Sequence, residues 1–264
     1  MTSPVFESER TSWQRPDGMT VIRRRVFFRD HFEYKPGQHV VFGGATTDGK
    51  TTLAFDALEY IATQEFPAYV AVSKPQDPVT ARMGAALGFR RVAEWPPPPK
   101  VGEMLGGQKP RGFLIWPHFG DLNNDMANCA RITHDLLMER YAHGATRKNR
   151  GGVLMMDDTM VKAKIMGLDK EMVTILAMAG AMKFGLWVFV QKPTDSGRTT
   201  LWAYEQASHL FFMTGGDKRM LIRYSEIVGG TNGPIAMRVI PTLERFQALY
   251  VDKKNGYMCI VAAS

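Results

Sequence analysis

A phosphate-loop pattern near the start of the chain constrains its fold more than any other stretch. The pattern places two glycines, a lysine and a threonine at the spacing Gly44-x-x-x-x-Gly49-Lys50-Thr51. Glycines at these two positions let successive backbone N–H groups curl around a phosphate. The lysine reaches the β- and γ-phosphates, and the threonine hydroxyl is a ligand for Mg²⁺. The pattern therefore predicts binding of a nucleoside triphosphate, ATP in the first place, together with Mg²⁺.

The residues on either side of the loop provide the setting that phosphate binding requires. Residues 39–42 predict a strand, and residues 52–62 predict a helix. A loop between a strand and a helix directs the N-terminus of that helix at the bound anion. We therefore expect the nucleotide phosphates to be bound by a continuous run of residues, namely Gly44, Ala45, Thr46, Thr47, Asp48, Gly49, Lys50, Thr51 and Thr52.

Two acidic residues, Asp157 and Asp158, follow a second apolar run at residues 152–156, which predicts a buried strand. In phosphate-loop enzymes the first acid holds Mg²⁺, directly or through water, and the second polarises the attacking water. We therefore predict Thr51 and Asp157 as metal ligands and Asp158 as the base. Most such ATPases use glutamate as the second acid, so the shorter Asp158 must lie closer to the water.

A glutamine, Gln191, ends another apolar run at residues 186–190, which predicts a strand beside the acid-bearing one. A glutamine at that place can donate a hydrogen bond to the γ-phosphate or to the attacking water. The predicted catalytic residues are therefore Lys50, Asp157, Asp158 and Gln191. We expect the loop and the two acids to meet at neighbouring strand tips, where α/β sheets place their ligands.

The rest of the chain predicts an α/β architecture. Apolar runs indicate strands at residues 68–73, 112–116 and 208–213, and helices at residues 80–88 and 122–141. The dipeptide Asn255-Gly256 predicts a hairpin between strands at residues 243–251 and 257–261. The fold expected is a P-loop NTPase (RecA-like) three-layer fold with a mostly parallel central sheet and a C-terminal β-hairpin. We expect residues 1–37 to form a β-rich peripheral segment, with short strands at 20–22 and 26–28, and residues 38–264 to form the ATPase domain.

Composition and hydropathy indicate the kind of partner and the cellular compartment to expect for this chain. The formal net charge of +7 favours an acidic partner such as nucleic acid. Two cysteines far apart in sequence, Cys129 and Cys259, are typical of reduced core thiols in a cytoplasmic protein. The N-terminus has no signal-peptide pattern. Residues 172–190 are largely apolar, but we expect a helix, a break at 183–185 and a strand there rather than a membrane span.

Several segments resemble the FtsK/HerA superfamily of DNA-pumping ATPases. Leu137-Met-Glu-Arg-Tyr141 is similar to the Met-Glu-Arg-Arg-Tyr helix that precedes the acidic strand of FtsK motors. Val190-Gln-Lys-Pro-Thr194 is similar to their Thr-Gln-Arg-Pro-Ser, and Asp217-Lys-Arg219 to their Asp-Ser-Arg. The order and rough spacing agree over residues 38–225. The resemblance implies ATP hydrolysis, movement of double-stranded DNA, and a ring-shaped homo-oligomer, in the first place a hexamer.

The chain also departs from the FtsK pattern. FtsK motors carry an arginine before the glutamine strand that reaches the neighbouring subunit's nucleotide, whereas residues 181–185 offer only Lys183. A lysine lacks the arginine fork, so Arg147, Arg198 and Arg219 are further candidates for the cation that acts in trans. Basic loops would contact DNA phosphates without reading sequence. The candidates for these loops are residues 162–164, with Lys162 and Lys164, and residues 192–198, with Lys192.

Length and domain content favour one branch of this superfamily. A chain of 264 residues leaves no room for the membrane and winged-helix domains of chromosomal translocases. Its size is closer to that of viral genome-packaging ATPases, whose partners would be a capsid or portal vertex, in the host cytoplasm or the virion. Two other functions stay open, a small-molecule kinase and a non-catalytic nucleotide-binding scaffold. A GTPase is disfavoured because the chain has no Asn-Lys-x-Asp signature.

Overall fold

The structure is a computed structural model that describes residues 11–99, 107–117, 120–144, 151–194, 197–215 and 217–263. Within these ranges eleven strands join in one sheet. The strands are β1 (Ser12–Gln14), β2 (Thr20–Arg23), β3 (His39–Gly43), β4 (Ala68–Ala71), β5 (Arg90–Val92), β6 (Gly112–Ile115), β7 (Gly152–Met156), β8 (Phe184–Val190), β9 (Ala207–Met213), β10 (Ala248–Asp252) and β11 (Tyr257–Ala262). The helices are α1 (Arg24–Asp30), α2 (Lys50–Ile61), α3 (Pro78–Ala86), α4 (Leu122–Gly144), α5 (Asp169–Met182), α6 (Arg198–Gln206), α7 (Lys218–Val228) and α8 (Asn232–Val239).

The strands follow one another across the sheet in the order β1-β2-β11-β10-β9-β3-β8-β7-β4-β6-β5. All strands from β9 to β5 in this order run parallel. The hairpin of β10 and β11 adds an antiparallel pair next to β9. Every residue of β3, β7 and β8 is buried, as expected for parallel strands covered on both faces. The predicted mostly parallel sheet and the C-terminal hairpin are therefore confirmed.

Helices cover both faces of the sheet, which gives the three predicted layers. Side chains of β8 alternate between two hydrophobic clusters, with Leu186 and Val188 in one and Trp187 in the other. The cluster of Leu186 includes Ile175 from α5, and the cluster of Trp187 includes Leu53 from α2. Because successive strand residues point to opposite faces, the continuous apolar run of β8 supplies both cores.

The N-terminal segment differs in part from the prediction. The strand predicted at residues 26–28 is wrong, because these residues belong to helix α1. In a strand Phe27 and Phe28 would point to opposite faces, whereas the helix lets both reach Phe211 of β9. The strand predicted at residues 20–22 is confirmed as β2, which pairs with β11 of the main sheet. The boundary at residue 37 stays a prediction.

The apolar stretch at residues 172–190 divides into a helix and a strand as predicted, but the break is Lys183 alone rather than residues 183–185. Helix α5 ends at Met182, Lys183 takes a left-handed backbone conformation with φ of 51°, and β8 begins at the next residue. Among the described residues, no helix is both long and apolar enough to cross a membrane. The two cysteines, Cys129 and Cys259, are buried free thiols, as predicted for core residues.

Candidate nucleotide-binding site

The phosphate loop joins the end of β3 to the start of α2, as the pattern predicts. Gly44 and Gly49 adopt φ values of 151° and 90°, which favour glycine. A Cβ atom on Gly44 would lie 2.7 Å from Cβ of Met213, and one on Gly49 would lie 2.9 Å from Cδ1 of Phe246. Side chains at these two positions would therefore both strain the backbone and collide with neighbours.

The side chain of Lys50 lies over the loop at the first residue of α2. Its Nζ donates hydrogen bonds to the carbonyl oxygens of Gly44 and Ala45, at 2.7 and 2.5 Å. Burial lowers the pKa of Lys50 to about 8, although the carboxylates of Asp48 and Asp158 act in the opposite direction. The ammonium is thus poorly hydrated, and bound phosphates would offer it charged acceptors in place of two carbonyls.

A cavity of about 780 Å³ opens in front of the loop, and Lys50, Asp157, Asp158 and Gln191 all line it. The other predicted phosphate-binding residues that line the cavity are Thr46, Thr47, Gly49, Thr51 and Thr52. Three predicted binding residues, Gly44, Ala45 and Asp48, belong to the loop without lining the cavity. The structure therefore brings the predicted catalytic residues to one site.

The expectation of neighbouring strand tips is wrong in one respect. Strand β8 lies between β3, which leads into the loop, and β7, which leads into the acids. Gly43 at the end of β3 is in register with Val190 of β8, so the next residue, Gln191, lies between the loop and the acids. Two strand spacings amount to about 10 Å, which a chain of phosphates with its metal can span.

Asp157 is buried at the end of β7 and is held through one of its two oxygens. Its Oδ1 accepts hydrogen bonds from Ser73 Oγ at 3.0 Å and from Lys162 Nζ at 2.7 Å. Its Oδ2 is buried and has no hydrogen-bond partner among the described residues. A buried carboxylate oxygen without a partner is costly, so a cation there would satisfy it. Together with Thr51 in the same cavity, this oxygen fits Mg²⁺, which binds few protein oxygens besides phosphate and water.

Asp158 is held by two partners from neighbouring strand ends. Its Oδ1 accepts a hydrogen bond from Gln191 Nε2 at 3.0 Å, and its Oδ2 lies 3.4 Å from Lys74 Nζ. Its backbone φ of 42° is unusual for a residue other than glycine. The side chains predicted as base and as γ-phosphate contact are therefore in direct contact with each other.

Lys74 is a site residue that the sequence interpretation did not single out. Burial lowers its pKa, but the carboxylates of Asp158 and Asp157 outweigh that effect and leave the pKa raised. The only signal in the sequence was its position directly after the strand run at residues 68–73, at the edge where α/β sheets bind ligands. Its charge would face the γ-phosphate of a nucleotide bound in the cavity.

The placement of Lys162 in a DNA-contacting loop is wrong. Its side chain is fully buried, and Nζ contacts Asp157 Oδ1, the Asp157 carbonyl oxygen at 2.9 Å and Ser73 Oγ at 3.1 Å. A buried ammonium needs such partners, and the π-helical turn Val161–Ile165 provides the geometry. Lys164 and Lys192 are exposed, so their contact with DNA stays a prediction.

The candidates for the trans-acting cation occupy different edges of the sheet. Lys183 is exposed just before β8, at the edge opposite the loop. Arg198 and Arg219 are exposed in the first turns of α6 and α7, at the edge of the loop. Arg147 lies outside the described residues. The identity of this cation stays a prediction.

Comparison with known proteins identifies the class of fold that the chain adopts. No protein-family model matches the chain, and no curated protein matches its sequence. Solved structures do match, and they define the chain as a P-loop ATPase fold. The genome packaging NTPase B204 from Sulfolobus turreted icosahedral virus 2, in complex with AMPPCP, superposes with a TM-score of 0.54 at 15% identity, over 87% of this chain and 99% of B204.

Two bacterial proteins are similar as well. VirB4 of Thermoanaerobacter pseudethanolicus gives a TM-score of 0.59 at 10% identity, over 95% of this chain and 96% of VirB4. The cytoplasmic domain of the type VII secretion ATPase EccC from Thermomonospora curvata gives 0.58 at 14% identity, over 96% of this chain and 28% of EccC. These similarities therefore confirm the predicted P-loop ATPase fold.

Proposed function

We propose that this chain is a Mg²⁺-dependent ATPase that moves double-stranded DNA. The observation that carries the proposal is the convergence of three strand ends on one cavity. β3 supplies the loop with Lys50, β7 supplies Asp157 and Asp158, and β8 between them supplies Gln191. This set contains the parts that transfer of a phosphoryl group to water requires: a phosphate cradle, a metal ligand and a group that activates water.

Nucleotide binding would rearrange Lys50 first. Its Nζ would leave the carbonyls of Gly44 and Ala45 for the β- and γ-phosphates, while the loop N–H groups hold the β-phosphate. Thr51 Oγ1 and Asp157 Oδ2 would hold Mg²⁺, which, when bound, supplies positive charge to the phosphate oxygens. Lys162 and Ser73 fix the other oxygen of Asp157, so its carboxylate is oriented in advance.

Hydrolysis would use the contact between Asp158 and Gln191. The amide of Gln191 has a second N–H and an oxygen besides its bond to Asp158, and these can orient a water. Asp158 accepts the proton as the water oxygen bonds to the γ-phosphorus and ADP leaves. Lys74 forms an ion pair with Asp158 and adds positive charge where the γ-phosphoryl group is transferred.

The proposal that the cargo is DNA rests on three supports. The motif resemblance is to DNA-pumping ATPases, the formal net charge is +7, and one similar structure is a viral genome packaging NTPase. The exposed Lys164 and Lys192 follow the acids and the glutamine, so nucleotide-driven movements there would reach a bound phosphate backbone. We propose a ring of identical subunits, in the first place a hexamer, that packages viral DNA at a capsid or portal vertex.

ATPase rates with and without duplex DNA test this proposal. We expect Mg²⁺-dependent turnover that rises with duplex DNA and falls by about 100-fold or more in Asp158→Ala, because the general base is lost. Asp135→Ala removes a partly exposed acid of α4 that pairs with Arg131 and does not line the cavity, and it serves as the control that keeps wild-type turnover. Absence of turnover in the wild type would contradict the proposal in favour of a non-catalytic scaffold. Phosphate transfer to a small acceptor without DNA stimulation would contradict it in favour of a kinase.

A further inference from the structure

An aromatic side chain, Phe246, lines the nucleotide cavity on the side away from the acids. Phe246 precedes β10, whose first residue, Ala248, pairs with Met213 at the end of β9. The start of β10 therefore lies at the same edge of the sheet as the phosphate loop. In the order β10-β9-β3-β8-β7 the loop is central, with Phe246 on one side and Asp158 on the other.

The backbone holds Phe246 in an uncommon conformation. Its φ of 68° lies in the left-handed region, which bulky side chains rarely adopt. A buried arginine, Arg24, fixes it there by donating a hydrogen bond from one guanidinium nitrogen to the Phe246 carbonyl oxygen at 2.7 Å. A second guanidinium nitrogen of Arg24 donates a hydrogen bond to Oδ2 of Asp56 in α2 at 2.9 Å. The position of the ring is thus tied to the helix that begins at the phosphate loop, and strained residues held in this way cluster at ligand sites.

The ring meets the loop with its edge. A Cβ atom on Gly49 would lie 2.9 Å from Cδ1 of Phe246, 3.6 Å from Cε1 and 3.9 Å from Cγ. Because the two ring atoms bonded to Cδ1 are both clearly farther away than Cδ1, the ring points its edge at Gly49. The guanidinium of Arg245 lies over the ring, 4.6 Å from its centroid. Phe246 is 37% exposed, so an apolar surface stands in the cavity beside the phosphate cradle.

We propose that the nucleobase of the bound nucleotide stacks on Phe246. The inference rests on the proposed function, since it requires a nucleotide in the loop. A γ-phosphate directed at Asp158 leaves the nucleoside to extend to the opposite side of the loop, which is where Phe246 lies. Stacking uses the π-face that every base has, so the ring contributes affinity without selecting one base.

Equilibrium binding of two ligands, ATP and inorganic tripolyphosphate, distinguishes the contribution of the base to affinity from that of the phosphates. Phe246→Gly removes the ring and relieves the left-handed backbone strain. Phe246→Ala removes the ring but leaves the strain in place. We expect both to raise the Kd for ATP about tenfold, or ~1.4 kcal/mol, and to leave the Kd for tripolyphosphate unchanged. Phe246→Trp keeps a stacking surface and retains ATP affinity. Tyr60→Ala, which removes a similarly exposed ring of α2 (39%) outside this cavity, leaves both affinities unchanged.

Two results would overturn the inference. Unchanged ATP affinity in Phe246→Gly would show that the base does not use the ring. An equal loss of ATP and tripolyphosphate affinity in both ring-less variants would show that the ring only shapes the loop. A wild-type protein that binds neither ligand would overturn the proposed nucleotide site itself, so the two failures are distinguishable.

Discussion

At the scale of single residues, Lys50 links the structure of the loop to its proposed chemistry. Its ammonium is buried at the first residue of a helix and donates to two carbonyl groups of its own loop. Burial lowers its pKa to about 8, so the charge on which phosphate binding depends is partly lost just above neutral pH. The residue therefore makes the proposed activity sensitive to pH from the alkaline side.

We predict that kcat/KM for ATP hydrolysis falls as pH rises through about 8. This ratio reports the free enzyme, in which Lys50 loses its proton near that pH and with it much of its attraction for phosphate. The kcat at saturating ATP stays flat to higher pH, because bound phosphates raise the pKa of the lysine. Steady-state kinetics from pH 6.5 to 9.5 measure both. A kcat/KM that stays constant over this range would contradict the assignment.

The candidate site residues of the phosphate loop and the two acids could be predicted from the sequence, because their spacing follows from phosphate and metal chemistry. Gln191 was predictable from its position after a strand. The importance of Lys74 and Phe246 was not, since each reaches the cavity through a tertiary arrangement. Lys162 was placed wrongly for the same reason. Its neighbours in sequence do not distinguish a lysine buried against Asp157 from a solvated one.

At the scale of elements, the turn that follows β7 supports Asp157, the acid that we propose as a metal ligand. Lys162, on the π-helical turn, and Ser73, just after β4, both bind the same oxygen of Asp157. The ammonium also contacts the Asp157 carbonyl oxygen and Ser73 Oγ. Two neighbouring strand ends, β4 and β7, are therefore joined by one buried charge.

We predict that Lys162→Met lowers the free energy of unfolding by about 3–5 kcal/mol. The substitution leaves Asp157 buried without its charged partner, which is costly at a fully buried position. Lys164→Met, two residues away and exposed, is the matched control and changes stability by about 0.5 kcal/mol or less. Chemical denaturation measures both. Equal stability of the two variants would contradict the account of Lys162 as a buried structural cation.

Long apolar runs made the central strands and the helices on either side of them predictable, since a parallel sheet buries such runs completely. Short amphipathic elements were missed, among them β5 and the helices α6, α7 and α8, which have no comparable run. The strand predicted over residues 243–251 begins only at Ala248. Residues 240–242 form a 3₁₀ turn, and Phe246 takes a left-handed conformation, so the hydrophobic pattern there does not reflect strand pairing.

At the scale of the whole molecule, the order of the strands decides which residues share a site. Strand order depends on pairings between distant segments, so the sequence could predict a parallel sheet without predicting that β8 separates the loop from the acids. That order would direct a nucleotide bound in the proposed way across the sheet edge, from Phe246 through the loop to Asp158. It also leaves Lys183 at the opposite edge, where it would have to meet a neighbouring subunit to take part in hydrolysis.

Electron microscopy of the protein with a non-hydrolysable ATP analogue, Mg²⁺ and duplex DNA tests the central claim most directly. We predict a ring around the DNA, with the β- and γ-phosphates at Lys50. We also predict Mg²⁺ at about 2.0–2.1 Å from Thr51 Oγ1 and the γ-phosphate directed at Asp158. A triphosphate bound elsewhere, or a γ-phosphate directed away from the two acids, would contradict the central claim.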